Sequence, residues 1–142
     1  MKSRTLTCIT AITLFAALAI PVQLVAQEQQ EQAPIFTVLH AFTAFLGGRF
    51  PTAGLVRDSA GNLYGTTPFG GALACGGGNG CGVVFKLDTT GKETVLHSFT
   101  LGGFPAAGLL RDGAGNLYGT TFAGGSTACG GQGCGAVFKL TP

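Results

Sequence analysis

The sequence predicts an all-β fold of two four-stranded antiparallel meanders behind an N-terminal signal helix. Three observations carry that prediction. The run AGLVRDSAGNLYGTT over 53–67 returns as AGLLRDGAGNLYGTT over 107–121, with thirteen of fifteen positions identical. Glycine is abundant, 25 residues in a chain of 142, and has no strict three-residue period. No helical periodicity of apolar residues occurs beyond the first 26 positions, whereas short β-branched and aromatic runs are frequent.

The first element is the leader. Lys2 and Arg4 precede an apolar stretch from Cys8 to Ile20, Pro21 breaks it, and Leu24-Val25-Ala26 supplies small or apolar residues for cleavage. Residues 1–26 therefore read as a signal peptide cut near Ala26-Gln27, with a polar linker over 27–34. The apolar core is too short for a comfortable bilayer span, so no stable membrane anchor is expected. Cys8 opens the apolar stretch instead of following it and is not a lipoprotein site. The expected location is secreted, extracellular or periplasmic. After cleavage six basic and six acidic residues remain, a net charge of zero. No basic patch is left to neutralise phosphates, which argues against nucleic acid and anionic membrane partners.

The β domain is expected over 35–142, with repeat cores at about 53–99 and 107–140. Ala53–Asp58 reads as a short strand, Ser59-Ala60-Gly61 as a turn and Asn62–Thr67 as the second strand. A glycine-rich loop leads to Gly82–Asp88. There Val83, Phe85 and Leu87 share one face, and Val84 and Lys86 take the other. Thr89-Thr90-Gly91-Lys92 turns the chain into Glu93–Phe99. The third strand returns as GAVFKL over 135–140, and VLHAF over 38–42 returns as VLHSF over 95–99.

Four strands joined by successive turns make a meander of the β-propeller blade type, and the repeat length of about 53–57 residues suits such units. Apolar residues on both faces suit a sheet stacked between neighbouring sheets. Ile35–Phe42 reads as a strand with no blade before it, while the second repeat stops after its third strand. Residues 35–42 are thus expected to be a closing strand for the last blade. A ring typically needs about 4–8 blades. A two-sheet sandwich, a homo-oligomeric ring of several chains and a truncated array all remain open.

The AGL-x-RD-x-AGNLYGTT-x-x-GG run, the G-x-VFKL strand and the VLHxF strand resemble the choice-of-anchor tandem repeat called GloVer, of bacterial surface and secreted proteins. The resemblance covers roughly residues 35–142. It implies an extracellular propeller-like array and brings no catalytic residues with it.

Four cysteines follow the leader: Cys75 and Cys81 in one glycine-rich loop, Cys129 and Cys134 in its counterpart. In an oxidising compartment they are expected to form disulfides, with local pairing favoured because it repeats with the fold. A four-thiolate zinc site is disfavoured by the five and four residues between the cysteines of each pair. His40 and His97 occupy equivalent positions, which favours a repeated packing niche over acid–base chemistry. Asp58 with Asn62, and Asp112 with Asn116, read as turn residues whose carboxylates accept backbone hydrogen bonds. Tyr64, Thr66, Tyr118 and Thr120 form a candidate ligand surface beside Phe69 and Phe122. No nucleophile elbow, zinc-protease helix, phosphate loop or calcium loop pattern occurs in the sequence. The expected function is a secreted, non-catalytic module, scaffold or extracellular binding surface, with a glycan or cell-surface ligand and no cofactor. The alternatives are a propeller-type glycan-acting enzyme assembled as an oligomeric ring, and a truncated array without independent function.

Overall fold

A computed structural model describes residues 33–43, 46–73, 76–100, 102–131 and 133–142. The leader expected over 1–26, its cleavage site, most of the polar linker and Cys75 lie outside the described residues. All described strands fall within the unit Phe36–Pro142. They form two antiparallel sheets, and helix among the described residues is limited to single 3₁₀ turns at Gly76–Gly78 and Thr127–Cys129.

Sheet 1 contains β1 (Val56–Arg57), β2 (Leu63–Thr67), β3 (Val83–Leu87) and β4 (Glu93–Ser98), paired in chain order. Sheet 2 contains β5 (Leu110–Arg111), β6 (Leu117–Thr121) and β7 (Ala136–Leu140), again in chain order. The second sheet has three strands where four were expected. The difference lies in residues 35–42: the described residues there form no paired strand in this chain and pack on sheet 1 instead. β1 is also shorter than the expected Ala53–Asp58: Gly54 contributes no side chain to hold a ladder there.

Three hairpins use one turn design. In Asp58–Asn62 the Gly61 N–H donates to the Asp58 carbonyl at 3.1 Å and the Asp58 N–H to the Asn62 carbonyl at 3.0 Å. Gly61 has φ +91°, the left-handed position that closes a type I turn with a bulge. The same pair of bonds recurs between Asp112, Gly115 and Asn116, and between Asp88, Gly91 and Lys92.

Alternation along the strands gives each sheet two apolar faces. On one face of sheet 1, Val83, Phe85 and Leu87 are buried beneath Phe42 and Leu63. On the other, Val84 is buried against Leu109 and Leu117 of the second repeat, flanked by Val56, Tyr64, Phe99 and Phe138. Each such side chain, fully buried, contributes about 1.5–3 kcal/mol. Gly65 faces Phe85 across the ladder, and a Cβ there would come within 2.6 Å of its ring. Gly119 faces Phe138 in the same way, at 2.5 Å. The glycine in each LYGTT run is therefore what lets the opposing phenylalanine lie flat across the sheet.

Candidate functional site

The conspicuous polar groups of both repeats gather at the hairpin ends. Asp58 Oδ1 accepts from the Asn62 N–H at 2.9 Å, and Oδ2 accepts from Asn62 Nδ2 at 2.8 Å and from the Tyr64 hydroxyl at 2.9 Å. The Asn62 side-chain bond, opposed by desolvation and helped by the Tyr64 hydroxyl, holds the Asp58 carboxyl at about 2. Asp112 repeats the arrangement with Asn116 and Tyr118 at 2.7–3.0 Å, and its carboxyl is likewise held low, first by the Asn116 side chain. A carboxylate that accepts three hydrogen bonds from its own hairpin is a poor proton donor or nucleophile.

Asp88 is a third residue of this kind, which the sequence reading left out. Its Oδ1 accepts from the Thr90 N–H, the Thr90 hydroxyl and the Lys92 N–H at 2.7–3.0 Å. The spacing D-T-T-G-K matches D-S-A-G-N and carried the signal.

Tyr64 lines a cleft of about 380 Å³ between the two sheets, together with Lys86, Leu96, Arg111, Leu117 and Pro142 among others. The Arg111 guanidinium lies 5.7 Å from the Tyr64 ring centroid and the Lys86 ammonium 6.0 Å from it. Desolvation, then the Asp58 hydrogen bond, raise the Tyr64 hydroxyl above its ordinary value and keep it a neutral donor. Tyr118 keeps Lys139 over its ring at 5.6 Å, and Thr120 is exposed.

Thr66 does not belong to a ligand surface. It is 2% exposed, and its hydroxyl donates to the Ala107 carbonyl at 3.0 Å, tying one repeat to the next. The remaining candidates are therefore Tyr64, Tyr118 and Thr120. Of the flanking aromatics, Phe69 lies edge-on between Phe50 and Phe104, with centroids at 6.0 and 5.8 Å, whereas Phe122 is exposed.

The two histidines differ. His97 is exposed on β4 with its ring edge-on to Phe99. His40 is half-buried; its Nδ1–H donates to the Gly91 carbonyl at 3.2 Å and its Nε2 lies 3.2 Å from Glu93 Oε2. Burial raises the Glu93 carboxyl, with His40 opposing. Glu93 escaped the sequence reading because its repeat counterpart is Phe36, so no pattern marks it.

Cys129 and Cys134 form the local disulfide, with Cα atoms 5.2 Å apart, and Cys81 is also disulfide-bonded. Among the described residues, no cluster of His, Cys, Asp or Glu is arranged to hold a metal ion. No described helix is long and apolar enough to cross a membrane. Comparison of the chain with known protein families, curated proteins and solved structures finds no match.

Proposed function

We propose that the chain is a secreted, non-catalytic repeat module of propeller-like blades that serves as a scaffold or extracellular binding surface. One observation carries this reading. The two carboxylates most open to a catalytic interpretation, Asp58 and Asp112, sit in near-identical hairpins with both oxygens engaged by the Asn and Tyr of the same turn. Catalysis of glycosidic hydrolysis needs two carboxyl groups in different roles, one raised to act as an acid. Here both are held low by the same cause.

Secretion is supported by the leader-like sequence and is in keeping with a disulfide in a small glycine-rich loop. A binding role is supported by the inter-sheet cleft, whose lining includes the cationic groups of Lys86 and Arg111 beside Tyr64. Such a cleft suits a polar ligand with an acidic substituent, as in an acidic glycan.

The test combines stability and turnover. Asp58→Ala and Asp112→Ala are expected to lower the melting temperature, and a panel of glycans is expected to show no hydrolysis. A glycan-cleaving activity abolished by either substitution at unchanged melting temperature would overturn the non-catalytic reading.

A further inference from the structure

We propose that the chain associates head to tail with a second copy of itself. Residues Phe36–Ala41 of one copy pair antiparallel with the free edge of β7 in the next.

The segment 36–42 reads FTVLHAF, and the β4 run at 93–99 reads ETVLHSF, identical at five of seven positions. Their surroundings match as well. Phe99, just past β4, lies edge-on to Phe138 of sheet 2 with centroids 5.3 Å apart at 68°. Phe42 lies edge-on to Phe85 of sheet 1 at 5.1 Å and 71°. The preceding histidines stand against these rings at 4.7 and 4.8 Å. Segment 36–42 is thus seated on sheet 1 as the end of β4 is seated on sheet 2. What it lacks is the ladder that β4 has with β3.

The strand that would supply that ladder has the sequence of β3, and β7 repeats it at five of six positions over 135–140. β7 pairs with β6 and has no neighbour on its other edge among the described residues. Among the described residues the two do not meet within one chain. Phe85 and Val84 are adjacent on β3 and point to opposite faces, so Phe42 covers the side of sheet 1 away from sheet 2.

The sheet faces agree with the same partner. Val84 is 0% exposed beneath sheet 2, while its counterpart Val137 is 81% exposed. Leu109 is 8% exposed against sheet 1, while its counterpart Leu55 is 52% exposed over the apolar groove beside Val38 and Phe42. The uncovered faces at the two ends are therefore the two halves of the interface already formed inside the chain. The Arg111 guanidinium lies over the Tyr64 ring at 5.7 Å across that interface, and Arg57 and Tyr118 are the counterparts of that pair at the two ends.

The β3–β4 register pairs Val84 with His97, Phe85 with Val95 and Lys86 with Thr94. Transferred to the contact between copies, it pairs Val137 with His40, Phe138 with Val38 and Lys139 with Thr37. Because the two surfaces differ, the association is heterologous and closes into a ring when the rotation allows.

The experiment uses the full chain as the producing cell processes it, with mass measured by light scattering. The wild type is expected to form a discrete oligomer. Val137→Asp damages only the accepting edge and Val38→Asp only the donated segment. Both positions are exposed in the single chain, so each variant is expected to be a monomer with an unchanged far-UV circular dichroism spectrum. Mixed in equal amounts, the two variants retain one intact surface each and are expected to give a one-to-one dimer. A wild type that stays monomeric up to its solubility limit overturns the proposal, as does an oligomer that either variant leaves intact. Monomeric variants that give no dimer on mixing also overturn it.

Discussion

Val84 and Val137 offer a controlled comparison. They occupy the same place in strands that match at all but one position, and they differ in what lies against them. Replacing Val84 by Ala removes two methyl groups from a site with 0% exposure, between Leu109 and Leu117. The transfer term is about 0.8 kcal/mol per group, and incomplete collapse of the cavity adds to it, for a total of about 2 kcal/mol. Val137 is 81% exposed in the single chain, so Val137→Ala should cost less than about 0.5 kcal/mol. For a domain of this size the difference corresponds to roughly 10 °C in melting temperature. The assay is urea unfolding followed by far-UV circular dichroism, at protein dilutions low enough that the wild-type midpoint no longer depends on concentration. Equal losses at the two sites under those conditions would refute the stacking of sheet 2 on the Val84 face. A Val137 penalty that emerges only as concentration rises would instead mark burial of that valine by another copy.

Other outcomes follow from the same geometry. Gly65→Ala and Gly119→Ala should each lower stability by about 1–3 kcal/mol, because the new Cβ collides with Phe85 or Phe138, and differential scanning calorimetry measures the loss. The carboxyls of Asp58, Asp88 and Asp112 sit below their ordinary value of 3.8 in the folded chain, so the stability they contribute is complete above that pH. It should fall away as the pH drops from 3.8 towards about 2, and an Asp58→Asn, Asp112→Asn double variant should show a flatter acid limb. Glu93 acts with the opposite sign: its raised carboxyl means that the folded chain holds this proton more tightly than the unfolded one. Glu93→Gln should therefore remove a cost present once Glu93 ionises, offset by loss of the His40 contact, and leave the acid limb in place. Cys129→Ser should lower stability by about 2 kcal/mol, the chain-entropy value for so short a loop, seen as a shift in the urea midpoint.

The antiparallel all-β architecture was legible because repetition and alternation act locally. β2 at Leu63–Thr67 lies inside the expected Asn62–Thr67, and β3 at Val83–Leu87 inside Gly82–Asp88. What the residues next to a position cannot encode is which neighbour covers it. Thr66 and Thr120 sit in identical LYGTT runs, yet Thr66 is buried against Ala107 and Thr120 is exposed. The same non-local cause placed segment 36–42 on sheet 1 rather than beside β7. The His40–Glu93 contact spans 53 positions and occurs once, so neither periodicity nor repetition could announce it.

The stacking of sheet 1 on sheet 2 has an evolutionary consequence. The face that Val84 presents and the face that Leu109 presents both recur in every copy of the unit, so a duplicated unit arrives with its fit to the neighbours already made. A unit added by duplication would therefore need no new contact surface of its own.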